Sequence, residues 1–394
     1  MSGVPAPLFA RQVELRRALH RRPELAWREE ETASRIEDAL CELGLAPRRL
    51  ADTGVVLDLP GAEDRPAVAL RADTDALPLE EATGLPFASE LPGVMHACGH
   101  DGHAAMLFGA AALLRDDPAP GPVRLIWQPA EEEGTGAPRL IEAGVLDGVE
   151  AIFGGHLDPR WPTGTLVVTE GPVGASTDEF RLVLRGRGGH GARPHEACDA
   201  LLAGAALVTA LQSVVAREVD PASAAVLTVG RFRAGSAPNV IAGEAVLEGT
   251  VRALEASVRE RVLSALRRVA EGAAAAHGAT VCYEALPGTP PVVNDPDLTR
   301  VAREAARAVV SDDGLRRLER ANMGGEDFAC YLERVPGCYI RFGARPASGP
   351  APAHSSAFDF DEEALAVGAA WFAEVARRAS AKRPAAGPSR SSSA

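Results

Sequence analysis

Four short stretches of the chain gather side chains that can do chemistry. They are Arg71-Ala72-Asp73-Thr74-Asp75, then His96-Ala97-Cys98-Gly99-His100-Asp101-Gly102-His103, then Gln128-Pro129-Ala130-Glu131-Glu132-Glu133-Gly134, and Gly154-Gly155-His156. Imidazole, thiolate and carboxylate together suit zinc or another divalent transition metal. A carboxylate beside a metal-bound water can take its proton, so adjacent Glu131 and Glu132 allow one to bind the metal and the other to act as base. Two neighbouring metals need more ligands than one, and these stretches supply enough. Taken singly, each residue has a plainer explanation: a lone histidine is usually structural, a lone cysteine is usually a small buried hydrophobe, and a run of glutamates is usually a solvated loop. The joint pattern is much harder to assign to chance. Cys198, Cys282, Cys330 and Cys338 lack such a setting and are expected in the core, and His20 and His277 are read as structural.

The elements around these stretches explain how they could meet. Residues 66–71 (PAVALR), 123–128 (VRLIWQ) and 151–153 are short apolar runs typical of buried strands, and 103–115 is a strong helical segment between two of them. Residues 8–20 and 30–44 also show helical spacing. This order predicts a sheet covered on both faces. Ligand sites in such sheets form beyond the carboxyl ends of strands, which is where three of the four stretches fall. From about residue 178 the pattern changes. Alternating segments at 179–187, 225–232, 244–252 and 280–284, with helical segments at 200–217 and 254–277, read β-α-β-β-α-β, the ferredoxin-like split motif. The proline-rich LPGTPPVVNDP closes that segment. The expected organisation is a catalytic domain in two parts, 1–176 and 289–379, with an inserted domain at 177–288 and a low-complexity, disordered tail at 380–394.

Composition narrows the class. A chain of 394 residues is too long for one ordinary domain, and its 46% hydrophobic and 24% charged residues are a globular balance. A formal net charge of −13 argues against a nucleic-acid partner. Lys382 is the only lysine, and the six cysteines are scattered without a CxxC pair, so no disulfide framework is expected. The N-terminus lacks the pattern of a signal peptide, and no apolar run reads as long and charge-free enough to span a bilayer. The expectation is a cytoplasmic enzyme.

At these residues the chain resembles the amidohydrolase branch of the aminoacylase and carboxypeptidase G metallopeptidase family, which includes hippurate hydrolases, N-acetyl-diaminopimelate deacetylases and plant auxin-conjugate hydrolases. The resemblance runs from about Leu15 to Ala370 and rests on HRRPEL (20–25), LRADTDALP (70–78), MHACGHDGH (95–103), QPAEEEGTGA (128–137), GGHGARPH (188–195), APNVIAGEAVLEGTVR (237–252), GGEDFACY (324–331) and HSSAFDFDE (354–362). It implies an α/β, mixed-sheet metallopeptidase catalytic domain with an inserted ferredoxin-like α+β domain serving as lid and dimer contact. It also implies two divalent ions per subunit, manganese, zinc, cobalt or nickel. By position, Cys98, His100, Glu132, His156 and His354 match metal ligands, with Cys98 bridging. Glu131 matches the general base. The triple glutamate leaves the register open, and the residues on either side favour Glu131 over Glu132. Asp75 matches a supporting aspartate, and Asp73 stands where related branches carry a histidine ligand. His190 matches a histidine that polarises the scissile carbonyl, often across a dimer. Asn239 and Arg252 match a pair that holds the substrate carboxylate. Ser355-Ser356 after His354 and Gly325 before Glu326-Asp327 depart from the common pattern without removing a ligand.

The resemblance implies hydrolysis of the amide of N-acyl amino acids, with a small-molecule substrate and a homodimeric enzyme. The alternative on the same scaffold is a carboxypeptidase or dipeptidase. A non-catalytic, metal-dependent binding protein is a third reading, but it would be expected to lose the base or a ligand, and here all six positions are filled.

Overall fold

The computed structural model describes residues 3–381, apart from the side chain of Pro287. The chain divides into two compact units. The first holds the chain up to Gly171, Asn294–Leu318 and the segment from Cys330 onward, and the second holds Pro172–Val293 and Glu319–Ala329.

The first unit begins with α1 (Ala6–Arg21) and α2 (Glu30–Glu42), followed by β1 (Arg48–Leu50), β2 (Gly54–Leu59) and β3 (Ala67–Asp73). Then come α3 (His100–Asp116), β4 (Val123–Gln128), α4 (Gly136–Glu142), β5 (Val149–Asp158) and β6 (Leu166–Val167). β3 lies between β4 and β5 and is parallel to both. Val68, Ala69 and Leu70 are all buried, so the strand is covered on both faces and reads as a continuous apolar run. Helix α3 starts at Gly99, whose φ of +86° is a left-handed conformation that glycine adopts without a Cβ penalty. That turn separates Cys98 from His100.

The second unit carries β7 (Gly171–Gly174), β8 (Thr177–Arg185), β9 (Gly189–His190), α5 (Ala200–Glu218), β10 (Ala225–Ala234), β11 (Val240–Ile241), β12 (Glu244–Ala253), α6 (Ala256–Ala276), β13 (Thr280–Thr289) and β14 (Val292–Asn294). β10, β12, β8 and β13 form an antiparallel sheet in that order. Alternation decides its faces. Phe180, Leu182, Leu184 and Leu247 pack with Leu207 and Leu211 of α5 and Val262 and Leu266 of α6. On the opposite face Arg181 lies 3.5 Å from Glu248 and 2.9 Å from Glu284.

The first unit resumes with α7 (Pro296–Val309) and β15 (Leu315–Arg316). After α8 (Phe328–Leu332) come β16 (Gly337–Gly343) and α9 (Ala364–Ala381). β16 runs parallel to β5, which completes a sheet of order β1-β2-β4-β3-β5-β16-β6-β15. Its core gathers Met106, Phe108, Trp127, Phe153, Phe342 and Trp371.

Four expectations need correction. The second unit starts before residue 177, ends after 288 and takes in 319–329, which the sequence reading placed in the catalytic part. Backbone bonds explain this: Asn322 N–H donates to Val173 O at 3.1 Å and Ala175 N–H to Gly324 O at 3.0 Å. Residues 380 and 381 of the expected tail are the end of α9, and the rest of it lies outside the described residues. Of the cysteines expected in the core only Cys338 is buried. Cys198 and Cys330 are intermediate, and Cys282 is exposed. Finally, α5 is long and apolar enough, by length and composition, to cross a membrane. Its Ala203, Leu207, Leu211 and Val214 are the face packed on the sheet of the second unit.

Candidate active site

The carboxyl ends of β3, β4 and β5 bring the chemistry-bearing stretches of the first unit together. Asp73 ends β3 and Asp75 follows it, Cys98 and His100 flank the start of α3, a turn at 129–136 follows β4, and His156 lies near the end of β5. The loop after β16 adds His354. Cys98 Sγ is 3.2 Å from His156 Nε2. The ligand atoms of Cys98, His100 and His156 lie within 4.8 Å of one another, as do those of Cys98, Glu132 and His354. Cys98 is the member common to both groups. His354 Nε2 is 3.3 Å from Glu132 Oε1. His100 Nε2 is 3.9 Å from a carboxylate oxygen of Glu131 and equally far from one of Glu132, whereas Glu133 is exposed.

A second layer of contacts aims these groups. His100 Nδ1 donates to the Asp75 backbone carbonyl at 2.9 Å and lies 3.2 Å from its carboxylate, which turns Nε2 toward the cluster. The other Asp75 oxygen accepts the Glu132 N–H at 2.9 Å. His156 Nδ1 donates to Leu157 O at 2.6 Å, so its Nε2 is the atom presented to Cys98. His354 has φ +63°, uncommon for a residue with a side chain, and its N–H is tied to Ala97 O at 2.8 Å. Asp73 and His103 also lie close to His100. However, His103 donates Nδ1–H to Asp73 at 2.5 Å and accepts the Leu157 N–H on Nε2 at 2.8 Å, so both nitrogens are spent. Arg71 holds the same aspartate at 2.6 Å and Gln128 at 2.8 Å. These buttresses went unnoticed in the sequence, although His103 and Arg71 stood inside the stretches singled out there. His20, read as structural, is buried between Asp101 at 2.8 Å and Glu81 at 3.3 Å.

The donors fit a divalent metal. Burial pushes the Cys98 thiol up to about 12, and the nearby Glu132 charge adds to this, so a thiolate here requires a cation beside it. Burial works against a charge on His100, yet Asp73 and then Cys98 raise it well above the usual imidazole range, the mark of an anionic surrounding. Nε2 of His100 is buried with no hydrogen-bond partner among the described residues, as a nitrogen that gives up its proton to bind a cation would be.

Three further candidates lie in the second unit. His190 in β9 pairs with Val240 in β11, and Gly191 N–H donates to Asn239 O at 2.8 Å, so His190 and Asn239 are neighbours. Both side chains are exposed. His190 Nδ1 accepts the Ala192 N–H at 3.0 Å, which leaves Nε2 to carry the proton of the neutral ring. Arg252 lies in β12 of the four-stranded sheet, apart from the β9–β11 pair, and donates to Thr177 Oγ1 at 3.3 Å and Met323 O at 3.1 Å.

Known proteins share both the sequence and the shape. The chain is 43% identical over 373 residues to an N-acetylcysteine deacetylase of Bacillus subtilis strain 168, covering 93% of this chain and 96% of the relative. It is 37% identical over 366 residues to thermostable carboxypeptidase 1 of Saccharolobus solfataricus, covering 91% of this chain and 92% of the relative. The crystal structure of the Bacillus subtilis YXEP protein, described as a dinuclear metal binding peptidase from M20 family, superposes with a TM-score of 0.83 at 40% identity, covering 95% of this chain and 98% of that one. The model of peptidase family M20/M25/M40 matches residues 69–378, and the chain belongs to that family of hydrolases.

Proposed function

We propose that this hydrolase cleaves the amide bond of N-acyl amino acids, releasing a carboxylic acid and a free amino acid, with two divalent metal ions held by Cys98, His100, Glu132, His156 and His354. The observation that carries the proposal is the sharing of Cys98 between two ligand groups, one with His100 and His156 and the other with Glu132 and His354. Such ions, when bound, polarise a carbonyl and acidify water. Glu131 takes the proton of the attacking water on a carboxylate oxygen and returns it to the departing amide nitrogen. Asp75 orients His100 and the Glu132 backbone. Nε2–H of His190 donates to the scissile carbonyl, and Asn239 and Arg252 hold the substrate carboxylate. The need for a reduced Cys98 supports a cytoplasmic setting. The exposed Leu201, Leu202 and Phe232 of the second unit, beside edge strand β10, support a homodimer formed there.

The acyl reading is supported by the N-acetylcysteine deacetylase, and a carboxypeptidase reading by the Saccharolobus relative. A panel separates them. N-acetyl-L-cysteine, hippurate, N-acetyl-diaminopimelate and unblocked dipeptides are offered after chelation and again with manganese, zinc, cobalt or nickel restored. Release of amino acid from the N-acyl compounds, lost on chelation and regained with metal, is the expected result. Preference for unblocked dipeptides would favour the peptidase reading, and no cleavage with any ion would overturn both.

A further inference from the structure

Glu29 is a buried carboxylate that the reaction above does not use. It sits just before α2, fully shielded from solvent. One of its oxygens accepts the Ala130 N–H at 2.9 Å, and the other accepts the Thr53 hydroxyl at 2.9 Å. Ala130 immediately precedes Glu131 and has φ +54°, in the left-handed region that side-chain-bearing residues rarely adopt. Residues held there cluster at functional sites and persist only where their surroundings over-determine them.

The turn that Ala130 opens is tight. The carbonyl of Ala130 accepts N–H groups from Gly136 at 3.1 Å and Thr135 at 3.3 Å. A Cβ on Gly136 would lie 1.8 Å from Pro129 O, so only glycine lets the turn close. Three clamps hold it from outside. Glu29 grips the Ala130 N–H, Asp75 grips the Glu132 N–H at 2.9 Å, and the Trp27 indole N–H donates to Thr135 Oγ1 at 2.9 Å. Trp27 itself has φ +61°. Two of the three clamps therefore come from one short segment, 27–29, which contributes no ligand.

We infer that Glu29 is a positioning residue for the glutamate turn: it fixes the left-handed Ala130 and thereby sets the direction in which Glu131 leaves the backbone, while Asp75 holds Glu132 separately. This rests on the reading of Glu131 as base. Burial pushes the Glu29 carboxyl up to about 7, so the carboxylate is kept at a site that resists its charge. An apolar residue would be easier to bury, but it would leave the Ala130 N–H without an acceptor.

The test compares Glu29→Gln, Glu29→Leu, and Glu29→Leu combined with Ala130→Gly, in N-acetyl-L-cysteine hydrolysis with manganese present and metal content measured for each. The Gln oxygen can still accept from Ala130, so that variant keeps most of the kcat. Glu29→Leu lowers kcat by about tenfold or more, with KM and metal content little changed, because a displaced base costs turnover rather than binding. Glycine adopts positive φ freely, so Ala130→Gly restores part of the loss. Equal loss in the Gln and Leu variants, or no recovery with Ala130→Gly, would overturn the inference. If Glu29→Leu does not fold, Glu29→Gln alone decides, since a tenfold loss of kcat there contradicts the clamp. Glu131→Gln is assayed in parallel: turnover in that variant would overturn the reading of the base, whereas a silent Glu131→Gln beside a fully active Glu29→Leu would overturn only the positioning role.

Discussion

Glu131 and Glu132 carry the same side chain at the same 3.9 Å from His100 Nε2, and it is their other neighbours that distinguish them. Glu132 shares a group with Cys98 and His354 and has its backbone fixed by Asp75, which suits a ligand. Glu131 is outside that group, which suits a base. Glutamine at 131 keeps the size and loses the proton acceptor. Glu131→Gln is therefore expected to bind metal at the wild-type level and to lose turnover by roughly 10²–10⁴-fold. Metal analysis beside a rate measurement checks it, and near-normal turnover would reassign the base. Cys98→Ala acts differently, because both ligand groups pass through that sulfur. It is expected to lower the content of both ions, measured on protein freed of loose metal, and an unchanged metal content would show that the thiol does not bridge.

At the scale of elements, α1 and α3 are joined by a buried ionic cluster. Arg16 and His20 of α1 both reach one oxygen of Asp101, the residue after His100, at 2.9 and 2.8 Å. Burial opposes a charge on His20, but the Asp101 charge and the hydrogen bonds that the ring donates to Asp101 and Glu81 outweigh it and raise His20 to about 9. A histidine whose folded pKa is raised stabilises the fold fully below its unfolded value near 6.5, and that stability is lost as pH rises through about 9. The full effect is roughly 3 kcal/mol, since each tenfold gain in proton affinity is worth about 1.4 kcal/mol. Wild type should therefore lose melting temperature between about pH 6.5 and 9 relative to His20→Gln, and parallel profiles for the two would refute this. The cluster also marks what sequence could and could not tell. Strand β4 was legible to the residue, because VRLIWQ is a bounded apolar run, and α5 nearly so. The β1–β2 hairpin was not, because its turn uses Ala51 and Asp52 at φ +50° and +68° where glycine or asparagine would have announced it. The metal-ligand stretches were legible because rare residue types crowd together in them. Glu29 was not, because it begins a run of three glutamates that reads like any solvated helix start, and its partner Ala130 is distant in sequence.

At the scale of the whole molecule, the candidate residues are divided between two separately packed units, with the metal-ligand cluster in the first and His190, Asn239 and Arg252 in the second. A homodimer through the second unit is expected as a dimeric mass by light scattering at micromolar concentration, and a monomer would count against it. The division matters most for substrate choice. Arg252 sits on the face of β12 away from α5 and α6, since Leu247 and Val251 are buried and the intervening residues are not. One nitrogen of its guanidinium is anchored by Thr177 and Met323, while Nε and Nη2 make no hydrogen bond among the described residues. A strand arginine is ordinarily a solvated one, but an anchored guanidinium with donors to spare can grip a carboxylate through parallel hydrogen bonds. Hydrogen bonds to charged groups contribute roughly 1.5–3 kcal/mol each, so loss of the substrate carboxylate should lower kcat/KM at least about tenfold. The measurement compares N-acetyl-L-cysteine with its carboxamide in wild type and in Arg252→Ala. Wild type should strongly prefer the acid, and the variant should lose most of that preference by slowing on the acid while its rate on the amide barely moves. Equal hydrolysis of acid and amide by wild type would mean that no carboxylate is recognised, and an undiminished preference in Arg252→Ala would move that role to another residue.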